Sequence, residues 1–170
     1  HYWPLFKQEI FHSKSLVPWL VWASLSLERD TPKEEIAELV LAISASRQWG
    51  PLGLNHLANF YQDIGRFPEA EAIYRRVISH EIKTGIPWFN LGILLERLGR
   101  SDEAITAYKN AVHVMPSLAG GWHRLSRILY ERGENISAAA TAATRAASLI
   151  ATHNHMITLA TIQAARGNWS

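Results

Sequence analysis

The residues that could carry chemistry in this 170-residue chain are a few histidines, and their spacing does not build a catalytic or metal site. The segment "HEIKT" begins at His80 like a zinc-protease helix motif, but Thr84 stands where that motif requires a second histidine. His153 and His155 form a His-x-His pair without the nearby carboxylate or third ligand that a metal site needs. The sequence also has no cysteine, phosphate-binding loop, nucleophile elbow or dinucleotide fingerprint. We therefore expect no enzyme activity, no cofactor and no metal.

The composition excludes two further classes of function. The 17 basic and 15 acidic side chains leave a net charge of only +2, which is not the electrostatic footprint of a nucleic-acid binder. The most apolar run, residues 16–27, contains Pro18 and is shorter than the roughly 20 residues of a membrane-spanning helix. We therefore expect no nucleic acid and no direct membrane insertion. The 48% apolar content is sufficient for a buried core.

The sequence is compatible with more than one cellular compartment. The chain begins with His1 and shows no signal peptide, so we expect a piece of a longer protein. A chain without thiols is indifferent to redox conditions. The cytoplasm is favoured because no signal is visible, and the periplasm fits if the full-length chain carries one.

The strongest pattern is an internal repeat with a period of about 34 residues. Although the chain has only ten glycines, four of them follow one constant step: Gly65, Gly99, Gly133 and Gly167. The same step links four leucines: Leu57, Leu91, Leu125 and Leu159. Such a register is hard to assign to chance.

Each repeat reads as two short helices joined by a tight turn. Apolar residues recur at the helical spacing i, i+3, i+4 and i+7 from Trp88 and again from Ala104. The periodic glycine falls at the end of the first helix, where a left-handed residue commonly closes the last turn. Two helices approach closely only where small residues meet, and we expect Gly92 against Ala104 to provide that crossing.

This pattern resembles the tetratricopeptide repeat (TPR) family, whose consensus places large, small and aromatic residues at set positions of each repeat. Residues 85–118 match it almost fully, with only Leu95 departing from the aromatic: Trp88, Leu91, Gly92, Leu95, Ala104, Tyr108, Ala111 and Pro116. Residues 51–84 match through Tyr74 and weaken after it.

The repeat at 119–152 leaves two registers open. In the frame of the preceding repeats, Ala142 and Arg145 stand where a large and a small residue are expected. A slip of one residue would place Ala139, Ala143 and Ala146 on the core side instead.

The resemblance implies an all-α fold, a right-handed α-solenoid of antiparallel helix pairs with ten helices. The expected organisation is an N-terminal helix or half repeat, a diverged repeat, three repeats, and the first helix of a further repeat or a cap: 1–15, 17–50, 51–84, 85–118, 119–152 and 153–170.

In TPR proteins the side of each first helix opposite the core lines a concave groove, so the resemblance also implies a set of candidate binding residues. They run from amide through apolar to basic and aromatic: Asn55, Asn59, Gln62, Phe89, Ile93, Arg97, His123, Arg127 and Tyr130. Phe89 and Ile93 are the candidate apolar anchor, because exposed apolar residues rimmed by polar ones suggest a contact site. Shielding of both by Arg127 and Tyr130 of the next repeat is the alternative.

TPR domains that bind the acidic tails of heat-shock chaperones use a fixed set of cations and asparagines. Asn59 and Arg127 match that set, whereas Asn55, Ile93 and His123 do not. Carboxylate recognition depends on cations, so an extended peptide with amide contacts and an apolar anchor fits better.

We therefore expect a non-enzymatic scaffold that binds a peptide or helix of a partner protein. The alternative is a structural or self-association module of a larger assembly, for example a membrane-associated bacterial one. A homo-oligomer would then form through terminal helices, with Trp3, Phe6 and Phe11 at the interface. An enzyme whose catalytic domain lies outside this sequence is a third reading.

Overall fold

The computed structural model describes residues 50–80, 84–133 and 135–167, and every regular element in these ranges is an α-helix. The seven helices are α1 (Pro51–Asp63), α2 (Phe67–Ile78), α3 (Ile86–Arg97), α4 (Ser101–Val114), α5 (Ala119–Arg132), α6 (Ile136–Leu149) and α7 (His153–Ala165). They stand where seven of the ten expected helices were placed, so the all-α repeat fold is confirmed. The N-terminal helix at 1–15 and the diverged repeat at 17–50 lie outside the described residues.

The chain divides into two compact units, one ending at residue 82 and the other beginning at residue 83. We call the described part of the former, residues 50–80, the first unit. The second unit is residues 84–133 and 135–167.

The first unit is one antiparallel helix pair, α1 against α2. Pro51 lies in the first turn of α1 and Pro68 in the first turn of α2, where a missing N–H costs nothing. The two helices bury aromatic and aliphatic side chains between and around them: Leu54, Leu57, Ala58, Phe60, Tyr61, Ala70, Tyr74 and Val77.

The periodic glycines close the first helix of each pair, as expected. Gly65, Gly99, Gly133 and Gly167 all have positive φ, between 66° and 80°. In the turn after α3, the Gly99 N–H donates to the Glu96 carbonyl at 2.9 Å and the Arg100 N–H donates to the Leu95 carbonyl at 2.9 Å. This pair of bonds is a Schellman motif, which satisfies the carbonyls at the helix end and requires the left-handed residue.

In the second unit, each helix packs against the next, and α5 also contacts α7. The largest fully buried side chains of this unit are Tyr108, Leu91, Leu94, Leu95 and Ile162. The α3 and α4 pair therefore has a core of one large ring surrounded by leucines.

Gly92 permits a close approach of the Tyr108 ring. A Cβ on Gly92 would lie 2.5 Å from Cε1 of Tyr108, and the three nearest atoms all belong to that ring. The small residue is needed because an aromatic side chain packs directly on it. Ala104 is fully buried as well, and its contact with Gly92 stays a prediction.

In the structure, α6 adopts the register that is shifted by one residue. Ala139, Ala143 and Ala146 are buried and Arg145 is exposed. The cause is local: α4 begins two residues after Gly99, whereas α6 begins three residues after its glycine. The additional residue allows Asn135 to cap α6, where its Oδ1 accepts from the Ala138 N–H at 2.8 Å.

Candidate functional site

The candidate binding residues of the first unit lie on α1, where Asn55 is buried and Asn59 and Gln62 are half-buried beside Tyr74. Asn55 is only 7% exposed. The Asn59 Oδ1 accepts a hydrogen bond of 2.5 Å from the Tyr74 hydroxyl, and the Gln62 Oε1 lies 3.5 Å from the same hydroxyl. Burial raises the pKa of Tyr74, and the charge of Asp63 raises it further, so the hydroxyl stays a donor. Sequence reasoning placed these amides on a binding face but missed Tyr74, their partner one helix away.

The candidate apolar anchor lies on α3 in the second unit, where Phe89 and Ile93 are both half-buried. The Phe89 ring centroid is 6.0 Å from that of Tyr108, with the planes tilted by 51°. A Cβ on Gly120 would lie 3.4 Å from the Phe89 Cζ. One side of Phe89 therefore packs on α4 and on the start of α5, and part of the side chain is exposed.

Ile93 holds the place in its repeat that Asn59 holds in the preceding one, and Tyr108 corresponds to Tyr74 in the same way. Isoleucine cannot accept a hydrogen bond, and the Tyr108 hydroxyl makes no hydrogen bond of good geometry to a described residue. Burial raises the pKa of Tyr108, and Glu96 raises it further through its charge and through an interaction with the hydroxyl. The second unit thus has an apolar residue where the first unit has the amide that accepts from its tyrosine.

Glu96 organises the polar flank of this apolar pair. The Arg124 Nη1 donates to the Glu96 Oε2 at 2.9 Å, and the Arg127 Nη2 donates to both carboxylate oxygens at 3.1 and 3.0 Å. The Arg127 Nη1 also donates to the Glu131 Oε1 at 2.9 Å. The Glu96 side chain is only 14% exposed, so this is a part-buried cluster between α3 and α5. Arg127 is consequently neutralised within the protein and is a weak candidate for holding an acidic ligand.

His123 lies beside a second histidine in this site. Its Nδ1 is buried without a hydrogen-bond partner in the described part of the chain. Its ring centroid lies 4.7 Å from that of His155, whose Nδ1 donates to the Ile150 carbonyl at 2.6 Å. Burial lowers the pKa of His123, and the neighbouring His155, Arg124 and Arg127 lower it further. Sequence reasoning did not join these two histidines, because they lie on α5 and α7.

The remaining two candidates lie at the ends of their helices. Arg97 is exposed at the end of α3, and Tyr130 is half-buried near the end of α5. Across the described ranges, no three His, Cys, Asp or Glu side chains come together as a metal would require. Within those ranges, too, none of the helices is long and apolar enough to span a bilayer.

Comparison with known proteins identifies the repeats. Tetratricopeptide repeat models match residues 53–79 and 86–118. A TPR repeat-containing protein of Methanocaldococcus jannaschii is 33% identical over 81 residues, which are 48% of this chain and 14% of that relative. The chain therefore spans only a small part of the length of this relative.

Solved structures share the fold at low sequence identity. The first TPR of Spaghetti (RPAP3), bound to an HSP90 peptide, is 18% identical with a TM-score of 0.63. The superposition covers 69% of this chain and 94% of the Spaghetti chain. The crystal structure of MamA is 16% identical with a TM-score of 0.67, and the superposition covers 78% of this chain and 77% of the MamA chain. A MamA RS-1 double mutant is also 16% identical, with a TM-score of 0.69 and coverage of 89% and 85%.

Proposed function

Because residues 53–79 and 86–118 match tetratricopeptide repeat models, we propose that the chain is a non-enzymatic scaffold that binds an extended peptide or a helix of a partner protein. The proposed binding face is the side of α3 and α5 that carries the candidate residues of the second unit. The amides of α1 are the corresponding candidates of the first unit. The family and its structural neighbours support protein interaction in general. The groove and the ligand class are our inference.

One observation carries the proposal: Ile93 is a residue that the fold itself does not favour. The Asn59 side chain in the corresponding place accepts a hydrogen bond from the Tyr74 hydroxyl, whereas Ile93 cannot accept one from the Tyr108 hydroxyl. The Tyr108 hydroxyl is left without a hydrogen bond of good geometry to a described residue, and its polar neighbour is Glu96. A buried unpaired hydroxyl costs about 1 to 3 kcal/mol. Residues that do not suit the local requirements of the fold concentrate at functional sites. Contact with a ligand is therefore our explanation for Ile93.

The surroundings of Ile93 favour a ligand with an apolar anchor and a largely neutral backbone. Arg124 and Arg127 are paired with Glu96, and burial lowers the pKa of His123. The HSP90 peptide bound by Spaghetti contains acidic residues. Here the cationic character that such a peptide would use is largely cancelled, so an apolar segment is the better candidate.

The proposal is tested by selecting peptides from a random display library on the chain and measuring their affinity for variants. Phe89→Ala and Ile93→Asn should each weaken binding by about tenfold or more, as truncation of an apolar anchor does. Val114→Ala is the matched control, because Val114 is an exposed apolar residue on α4 outside the proposed face.

Ile93→Asn separates loss of binding from loss of folding. It should give the Tyr108 hydroxyl the acceptor that the first unit already has, so stability should hold or rise while affinity falls. Selected peptides that bind all three variants as tightly as the wild type would contradict the proposed face.

Self-association is a second candidate, favoured by one observation at the end of the described chain. Met156 and Ile157 on α7 are 50% and 51% exposed. A terminal helix of a repeat array exposes the apolar side that the next helix would cover. The other proposed interface, around Trp3, Phe6 and Phe11, lies outside the described residues.

Sedimentation equilibrium over a concentration series separates the two candidates. If the ends associate, a dimer should form with rising concentration and be lost on removing residues 1–15 or on changing Ile157 to Lys. A monomer at every concentration would rule out this candidate and leave the face around Ile93 as the working surface.

A further inference from the structure

The last two described helices, α6 and α7, have an unusual charge distribution. All 15 aspartates and glutamates precede Asn135, so α6 and α7 contain no acidic side chain. Arg145 lies on α6, and Arg166 directly follows α7. These two helices therefore carry positive charge without a counter-charge of their own.

The arginines of the preceding helices are different, because most of them are already paired. Salt bridges to acidic side chains hold six of them: Arg66, Arg75, Arg100, Arg124, Arg127 and Arg132. Arg145 and Arg166 make no ion pair with any described residue. Their guanidinium donors are therefore free for a ligand.

Both arginines line one cleft, of about 430 Å³, between α6 and the end of α7. Ala140 forms part of its wall, and its polar lining consists of two arginines, one amide and three hydroxyls: Arg145, Arg166, Gln163, Thr141, Thr144 and Ser148. A cleft with convergent polar groups of one charge sign is a typical ligand site.

The hydroxyls of the cleft are oriented as acceptors. Thr141 donates its hydrogen to the Ser137 carbonyl, Thr144 to the Ala140 carbonyl, and Ser148 to the Arg145 carbonyl. Each hydroxyl oxygen thus retains lone pairs for an external N–H. A ligand complementary to this lining carries anionic oxygens for the arginines and N–H donors for the hydroxyls.

We propose that the cleft between α6 and α7 is a second binding site, for an acidic peptide segment of a partner protein. Carboxylate side chains pair with Arg145 and Arg166, and backbone N–H groups donate to the threonine and serine oxygens. From Thr141 to Ser148 the cleft wall is about 10 Å long, which corresponds to about three residues of an extended peptide. A phosphate backbone has no N–H groups, so the lining fits a peptide better than a nucleic acid.

This site goes beyond the face proposed above. That face lies on the first helices α3 and α5 of the repeats, whereas Arg145 lies on α6, a second helix. The two sites also differ in chemistry, because one offers an apolar anchor and the other two unpaired cations. A protein with both could hold two segments of one partner at once.

Fluorescence anisotropy of a labelled peptide of alternating glutamate and glycine, about ten residues long, tests the site with the whole chain. Saturable binding is expected at about 0.05 M NaCl, with clear weakening at about 0.3 M NaCl. The double variant Arg145→Gln and Arg166→Gln should bind at least about tenfold more weakly. The same peptide with glutamine in place of glutamate should not bind.

Arg76→Gln is the matched control. Arg76 is exposed on α2 in the first unit and has no ion pair with a described residue. Arg76→Gln therefore changes the net charge by the same amount as each single cleft variant does. Each single cleft variant should lose affinity clearly, and Arg76→Gln should not. Circular dichroism should show equal helicity for all variants, because these arginines are exposed.

Three outcomes would overturn the proposal. One is the absence of saturable binding by the wild-type chain. Another is an equal loss for Arg76→Gln and for either cleft variant, which would reveal a net-charge effect. The third is tighter binding of a single-stranded oligonucleotide of equal charge, lost in the same double variant, which would make the cleft a polyanion site instead of a peptide site.

Discussion

The two units place a tyrosine at the same point of the repeat and treat its hydroxyl differently. Tyr74 in the first unit donates to Asn59, with Gln62 nearby. Tyr108 in the second unit has Ile93 and Glu96 in those places, and its hydroxyl makes no hydrogen bond of good geometry to a described residue. The ring is common to both units because it fills the core of the helix pair. The residue beside the hydroxyl, Asn59 or Ile93, lies on the proposed binding face, where its type can differ with the ligand.

The second contrast is the small residue opposite the ring. The first unit has Ala58 where the second has Gly92, and a Cβ on Gly92 would lie 2.5 Å from the Tyr108 ring. The two rings therefore do not sit at the same depth against their first helices. This difference and the hydroxyl difference can be tested separately.

Gly92→Ala should have the largest effect, lowering the free energy of unfolding by about 2 to 3 kcal/mol through overpacking. The gain in helix propensity, about 1 kcal/mol, is smaller than this. Urea unfolding followed by circular dichroism measures the change. Ala58→Gly is the control and should cost only about 1 kcal/mol. A Gly92→Ala protein more stable than the wild type would mean that the Tyr108 ring moves aside freely.

Asn59→Ile should convert the first unit to the state of the second and lower stability by about 1 to 2 kcal/mol, because it leaves the Tyr74 hydroxyl buried without its acceptor. The reciprocal Ile93→Asn should raise stability by up to about 1 kcal/mol. Urea unfolding of both variants gives the comparison directly. Equal and small changes in both would show that the two hydroxyls are equally well satisfied.

Tyr74→Phe and Tyr108→Phe should separate the two hydroxyls without altering packing. Loss of the Tyr74 hydroxyl removes a hydrogen bond and should cost about 1 kcal/mol. Loss of the Tyr108 hydroxyl removes a group without a good hydrogen bond and should lower the free energy of unfolding by no more than about 0.5 kcal/mol. Thermal unfolding of each protein measures this difference. A larger loss for Tyr108→Phe would reveal a hydrogen bond to Glu96.

The smallest expected effect is a difference in acid sensitivity between the units. The pKa of His123 is lowered below its ordinary value of 6.5, so the unfolded chain takes up a proton first and stability falls as pH decreases through 6.5. The ion pair with Arg66 lowers the pKa of Glu69 below its ordinary value of 4.5, so its contribution is lost only as pH falls below 4.5.

His123→Gln should therefore remove part of the acid loss that begins near pH 6.5 and leave the loss below pH 4.5 unchanged. Unfolding in urea at a series of pH values measures both windows. An unaltered slope in the upper window would show that His123 is exposed to water in solution. The facing groups, His155, Arg124 and Arg127, are unchanged in this variant.

Much of the fold could be predicted because its signals are local. The constant step between Gly65, Gly99 and Gly133 indicated turns that need a left-handed residue, and each of the three has positive φ. Helical spacing from Trp88 and from Ala104 predicted α3 and α4. The α6 register could not be predicted, because a run of alanines buries equally well in two frames and α6 begins one residue later after its glycine than α4 does.

The candidate site was predicted less completely. The position of Phe89 and Ile93 on one face of α3 follows from helix geometry, and their role in binding stays a prediction. The neutralisation of Arg127 by Glu96 could not be foreseen from spacing, because the residues are 31 apart and on different helices. The same holds for His123 and His155.

The sequence by itself determined the elements and their order, because hydrophobic period, helix-closing glycines and prolines act within a few residues along the chain. Only the tertiary structure decided which polar groups find partners. The sequence shows Asn59 and Ile93 in the same repeat position, but only the packing of α1 on α2 brings the Asn59 side chain to the Tyr74 hydroxyl. Likewise, Arg127 is paired and Arg145 is not because a carboxylate faces one helix and, among the described residues, none faces the other. Hydrogen bonds and ion pairs depend on distances of a few ångströms between helices, which a repeat pattern does not encode.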